Sequence, residues 1–279
     1  MSDRYAVIGH PIAHSQSPRI HALFAQATGQ ALSYEAIDGG PEPGGFARAL
    51  AAFRAAGGRG ANVTLPFKLE ALACADEADE AARHAGAANA LRWDGGRIQA
   101  RNFDGAGLVR DITVNLAVPL RGARVLLLGA GGAARGAVVP LARAGAEQIV
   151  IANRTADKAR QLAAELAPHA GNGCAVTGAG LGADELGGAA FAIVINATSA
   201  SLTGAAPQLA SQALAGARLA YDMVYGKGLT PFLRQAHAAG AERLADGLGM
   251  LVEQAAEAFA WWRGVRPDTA PVIAQLTKG

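Results

Sequence analysis

The residues Val125-Leu126-Leu127-Leu128 run straight into Gly129-Ala130-Gly131-Gly132-Ala133-Ala134, and a segment of helical period follows. A short apolar run bounded by glycine reads as a strand buried on both faces. The Gly-x-Gly-x-x-Ala turn behind it reads as a dinucleotide fingerprint. Gly129 permits the tight turn, Gly131 lets the backbone approach a pyrophosphate, and Ala134 keeps helix and strand close. The anion's expected partners are unpaired N–H groups at the helix start, which brings Ala130, Gly132 and Ala133 into the cofactor-binding set.

The rest of the chain has the same alternation. Short β-rich runs are expected at residues 4–9, 33–37, 60–64, 123–128, 148–152, 192–196 and 218–222, separated by Ala-rich helical segments opening near Ser17, Gly45, Pro66, Asp104, Gly132, Thr155, Thr230 and Leu248. This is the pattern of parallel sheets covered by helices, so the class is α/β. At 279 residues the chain exceeds what one compact core usually holds, and two domains are expected.

The strand after the glycine turn decides the nucleotide. An NAD site places an Asp or Glu at its end to bond the ribose 2′-hydroxyl, whereas this chain has Asn153-Arg154-Thr155. Arg154 can fork onto a 2′-phosphate, Thr155 can donate a hydroxyl, and Lys158 adds charge one turn on, so NADP is the expected cofactor.

Several function classes are excluded. Net charge is +2 and the basic residues are scattered singly, with no stripe to neutralise a nucleic-acid backbone. Cys74 and Cys174 form no Cys-x-x-Cys and no His cluster has ligand spacing, so neither a disulfide framework nor a metal site is expected. Residues 186–217 carry no charge, but polar residues interrupt them and a buried strand with a polar loop fits better than a membrane span. No signal-peptide pattern opens the chain, and a cytoplasmic location is expected.

A second set of motifs names a family. Gly9-His10-Pro11-Ile12-Ala13-His14-Ser15-Gln16-Ser17-Pro18, Asn62-Val63-Thr64-Leu65-Pro66-Phe67-Lys68, Gly86-Ala87-Ala88-Asn89, Asn153-Arg154-Thr155 and residues 246–254, from Asp246 to Gln254, together resemble shikimate dehydrogenases, nearly end to end and in the family's order. The resemblance implies an N-terminal α/β substrate domain completed by the C-terminal helices (residues 1–104 and 247–279), with a Rossmann NADP-binding domain inserted between them (105–246). It implies reversible, NADP-dependent reduction of 3-dehydroshikimate to shikimate, a step of aromatic amino acid biosynthesis, by a monomer or homodimer acting on a small molecule.

The same resemblance distributes the roles. Ser15 and Ser17, just before a helix entered at Pro18, form a carboxylate cradle. Asn62, Thr64 and Asn89 meet the ring hydroxyls. Lys68 and Asp104 are catalytic, the ammonium stabilising and protonating the oxygen that becomes an alkoxide as hydride arrives. Thr198 lies near the cofactor, Tyr225 supplies a substrate-site hydroxyl, Gly247 and Met250 wall the nicotinamide, and Gln254, one helical turn after Met250, bonds substrate. His10 and His14 read as structural and His21 as helix surface.

Two positions depart from the family pattern. Ala90 and Phe103 stand where Thr is usual, and Phe103 puts a large ring directly beside Asp104, which is expected to reshape the pocket and weaken substrate binding. Quinate or another hydroxylated cyclic acid is the alternative substrate, and a non-catalytic NADP-binding sensor the alternative outside enzymology.

Overall fold

The computed structural model describes residues 2–171, 173–186, 190–226 and 228–278, with backbone only at 202 and 203. The chain divides into two units, one of residues up to Gly107 together with Val252 onward, the other Leu108–Leu251.

In the first unit the order is β1 (Asp3–Gly9), α1 (Ser17–Thr28), β2 (Leu32–Asp38), α2 (Gly45–Ala55), β3 (Gly58–Val63), α3 (Lys68–Ala73), β4 (Glu77–Ala78), α4 (Glu80–Ala85), β5 (Ala90–Asp94) and β6 (Arg97–Arg101). Its sheet runs β2-β1-β3-β5-β6-β4. β1 pairs in parallel with β2 and β3, but β5 is antiparallel to both β3 and β6. The sheet is therefore mixed, which corrects the expectation of parallel sheets throughout. The departure is local in origin: Gly95 and Gly96, both at positive φ, make the two-residue turn that joins β5 to β6 as a hairpin. One core face gathers Ile8, Ala61, Val63, Leu91, Phe46 and Phe67.

Asp104–Arg110 forms α5, which passes into a π-helical turn, Asp111–Asn115, in the second unit. There follow β7 (Arg124–Leu128), α6 (Gly132–Arg143), β8 (Gln148–Ala152), α7 (Ala156–Leu166), β9 (Ala175–Ala179), α8 (Ala183–Leu186), β10 (Ile193–Asn196), β11 (Leu219–Asp222), α9 (Pro231–Ala238) and β12 (Leu244–Ala245). The sheet order β12-β11-β10-β7-β8-β9 is parallel at every step. Read from β9 this is the 3-2-1-4-5-6 order of the Rossmann fold, and chain order reverses between β7 and β10, where such sheets take their ligands. Val125–Leu128 are fully buried: Val125 and Leu127 cluster with Ala134, Val138 and Leu141 of α6, and Leu126 and Leu128 with Phe232 and Leu233 of α9.

The chain closes with α10 (Leu248–Arg263) and α11 (Ala270–Thr277). Within the first unit Arg263, at the end of α10, bonds Gln30 (2.8 Å) and Asp3. In the loop beyond, Arg266 (2.6 Å) and Thr269 (2.7 Å) satisfy the fully buried carboxylate of Glu253.

Candidate active site

Beyond β3 the turn from Thr64 to Phe67 is closed by a Phe67 N–H to Thr64 carbonyl bond of 3.0 Å, and α3 starts at Lys68, two residues later than expected. The Lys68 ammonium donates to Asp104 Oδ2 at 2.6 Å, with side-chain exposures of 27 and 21%. Asp104 is braced in turn. Its amide N–H donates to Asn102 Oδ1 (3.0 Å), and its Oδ1 accepts from Asn89 Nδ2 (2.8 Å). The buried Asn89 amide also donates to Gln254 Oε1 (3.2 Å) and accepts the Phe103 N–H (2.9 Å). Residues 68, 89, 104 and 254, far apart in sequence, thus form one polar cluster. An ammonium carries three N–H donors and one is committed to Asp104, so the others can meet a ligand oxygen.

Ser17 is the first residue of α1, not one before it, and its amide donates to Ser15 Oγ (3.3 Å). Gln16 occupies the N-cap of this 12-residue helix without a side-chain cap bond, so Ser15 is the side chain that meets its first amide. Asn62, buried in β3, donates to the Asn89 carbonyl (3.1 Å) and accepts from the Tyr34 hydroxyl (2.8 Å). His10 pairs with Asp38 at 2.7 Å, while His14 is exposed. His21 is a correction: it is not helix surface but 0% exposed, stacked on Tyr34 and packed among Phe24, Phe259 and Trp262.

Phe103 does not stand free beside Asp104. The ring is 9% exposed and shares an apolar cluster with Ala90 and Ala258, edge-on to Trp261 at 6.0 Å between centroids. The two departures from the family pattern therefore meet in space.

In the second unit Gly129 takes φ +106°, and a Cβ there would lie 3.1 Å from the Thr198 methyl. No atom lies within 4 Å of a Cβ built at Gly131 or Gly132, and Gly131 caps α6 with no side-chain bond. Together with Ala130 and Ala133 they leave an unobstructed helix N-terminus, whose unpaired N–H groups suit an anion such as a pyrophosphate. Where β8 ends, Asn153 bonds the Thr155 carbonyl (3.0 Å) while Arg154, Thr155 and Lys158 are exposed. Thr155 sits at the N-cap of α7 without capping it, and the nearest acid, Asp157, is paired with Arg160 at 3.0 Å. An exposed cation and a hydroxyl that makes no cap bond, with Asp157 paired to Arg160, fit a 2′-phosphate.

Thr198 donates to Asn196 Oδ1 (2.7 Å), and Asn196 donates to the fully buried Asp222 (3.1 Å), which also takes Ser201 (2.7 Å) and Thr230 (2.6 Å). This carboxylate ties together the loops after β10 and β11. Tyr225 is 39% exposed, and partial burial, with Asp246 adding to it, raises its hydroxyl pKa. A Cβ on Gly247 would meet the Met223 carbonyl, and Met250 lies in the unit's core. Sequence reasoning missed Asp111, in the π-turn. It accepts from the Tyr221 hydroxyl (2.7 Å) and faces Gly249 so closely that a Cβ there would lie 2.0 Å from Oδ1.

Among the described residues no group of three or more His, Cys, Asp or Glu could hold a metal ion, and no helix is long and apolar enough to cross a membrane. Residues 7–91 match the sequence profile of the shikimate dehydrogenase substrate binding domain, 112–212 that of shikimate / quinate 5-dehydrogenase, and 247–277 that of the shikimate 5′-dehydrogenase C-terminal domain. The shikimate dehydrogenase (NADP(+)) of Aromatoleum aromaticum is 55% identical over 99% of this chain and 97% of its own. Among solved structures, an Ael1 enzyme from Pseudomonas putida is 56% identical with TM-score 0.91, covering 99% of this chain and 98% of the other. The shikimate 5-dehydrogenase of Thermus thermophilus in complex with NADP(H) and shikimate is 33% identical with TM-score 0.83, covering 99% of both chains. With identity above half sustained over virtually its whole length, this chain belongs to the shikimate dehydrogenase family.

Proposed function

We propose that this protein interconverts 3-dehydroshikimate and shikimate, the first unit holding the acid and the second holding NADP. The observation that carries the reading is the Lys68–Asp104 pair braced by Asn89 and Gln254. Bound NADPH supplies the hydride that reduces the substrate carbonyl carbon. As charge gathers on the carbonyl oxygen, Lys68 Nζ donates a hydrogen bond and then its proton, and Asp104 holds the ammonium in line while accepting from a neighbouring substrate hydroxyl.

Ser15, Ser17 and the start of α1 take the carboxylate, and Asn62, Thr64, Asn89, Tyr225 and Gln254 take the hydroxyls. Gly129 to Ala133 cradle the pyrophosphate, Asn153, Arg154, Thr155 and Lys158 take the 2′-phosphate, and Thr198, Gly247 and Met250 border the nicotinamide. The enzyme works as a cytoplasmic monomer or homodimer, without nucleic acid. Quinate is the second reading, favoured by the missing hydroxyls at positions 90 and 103.

The test is steady-state NADP reduction with shikimate and, in parallel, quinate. Shikimate is expected to turn over, with Lys68→Ala lowering kcat by about 10²- to 10⁴-fold. Preference for quinate would move the assignment to the second reading. Binding of NADP with oxidation of neither acid would overturn both.

A further inference from the structure

Tyr34, in β2, belongs to none of the motifs that mark this chain. Its ring lies face to face on the His21 imidazole, with centroids 4.1 Å apart and planes 7° apart. The imidazole is fully buried among Phe24, Phe259 and Trp262, and among the described residues neither of its nitrogens has a partner at hydrogen-bond geometry. Burial holds its pKa down at about 3, against a smaller opposing effect of the Asn62 side chain, so it is a neutral plate at any working pH. A ring fixed on such a plate presents its hydroxyl at one place.

That place lies against a residue of the proposed substrate set. The Tyr34 hydroxyl donates to Asn62 Oδ1 at 2.8 Å, and nearby Ser17 opposes the rise in its pKa that burial causes. Asn62 is held at its other end by the Asn89 carbonyl (3.1 Å), so its amide is pinned on both sides and keeps one N–H for a ligand. Asn62 belongs to the ring-hydroxyl donors. We propose that Tyr34 is a positioning residue for the substrate: its hydroxyl, carried on the His21 stack, fixes the Asn62 amide and so sets where that donor meets the acid. The inference rests on the reading of function given above. Tyr34 makes no bond to Lys68 or Asp104, so it governs binding and leaves the proton-transfer pair alone.

Tyr34→Phe keeps the ring stack and removes the hydroxyl alone. The expected result is a rise of about tenfold in KM for shikimate, with kcat and KM for NADP within about twofold of wild type and the urea midpoint unchanged. Asn62→Ala combined with Tyr34→Phe is expected to raise KM by less than the product of the single effects, because Tyr34 acts through Asn62. An unchanged KM, a multiplicative double variant, or a kcat loss accompanied by a lower urea midpoint would each overturn the proposal, the last by showing a structural role only. A second readout does not depend on turnover: the Asn62 side-chain amide NMR pair, identified by its loss in Asn62→Asp, is expected to lose exchange protection in Tyr34→Phe. If wild type fails to oxidise shikimate, the functional reading falls. The amide signal then decides whether Tyr34 holds Asn62, an unaltered signal refuting it.

Discussion

His21 links the stability of this protein to pH in a way that one substitution isolates. Burial pushes its pKa from 6.5 down to about 3, and every ring around it is uncharged: Tyr34, Phe24, Phe259 and Trp262. The unfolded chain takes up a proton as the pH falls through 6.5, whereas the folded chain resists until about 3. The stability tied to the neutral ring is therefore fully present above 6.5 and is lost as the pH falls towards 3, at a limiting slope of about 1.4 kcal/mol per pH unit. Between about pH 7 and about pH 4.5 this amounts to about 2.5 kcal/mol, set against a total of about 5–15 kcal/mol for a typical domain. His21→Phe replaces the plate with one that does not titrate. In urea unfolding at a series of pH values, carboxylates and the other histidines contribute alike to both proteins, so the difference between the two curves belongs to His21. Wild type is expected to lose about 2.5 kcal/mol more than the variant over that interval. Parallel curves would refute the reasoning, since they would mean that the folded state accepts the proton as readily as the unfolded chain does.

Three further substitutions probe other features. Arg154→Ala is expected to raise KM for NADP about ten- to a hundredfold, the range of a charge-assisted hydrogen bond, while KM for NAD barely moves; equal effects on both would remove Arg154 from the 2′-phosphate. Gly249→Ala places a Cβ 2.0 Å from Asp111 Oδ1 and is expected to destabilise by about 1–3 kcal/mol, read as a lowered calorimetric Tm. Phe103→Thr empties the space against Trp261 and is expected to cost about 3 kcal/mol in urea unfolding, with a milder loss for Phe103→Leu; an unchanged Thr variant would show that the ring does not pack there.

What the sequence reveals about this fold and site follows from how local each requirement is. The β7-turn-α6 unit is legible because an apolar run, a glycine at φ +106° and a small residue at 134 all act within ten residues. The missing acid after β8 is legible for the same reason. The β5–β6 hairpin is missed despite its local Gly95-Gly96 turn because Arg92, Arg97 and Arg101 look solvated; in the fold Arg92 and Arg101 lie on the distant Trp261, at 4.7 and 4.6 Å from its ring centroid. His21 misleads by residue type although its spacing holds the answer, since Ser17, Ile20, Phe24 and Ala25 bury the same helix face. The Lys68–Asp104 pair, 36 residues apart, comes from resemblance alone, because nothing in a linear pattern brings those two side chains to 2.6 Å.

The departures at positions 90 and 103 show the limit most clearly. In sequence they are two separate losses of a hydroxyl, one of them adding bulk beside Asp104. In the fold Ala90 and Phe103 share one apolar cluster, so the ring's bulk lies against Ala258 and Trp261. Residue 103 meanwhile serves the Asn89–Asp104 network through its backbone N–H, at 2.9 Å from Asn89 Oδ1, a contact that any residue but proline can make. The bracing of the Lys68–Asp104 pair is thus insulated from the identity of the side chain at 103, and the two substitutions act through apolar packing rather than through the polar network.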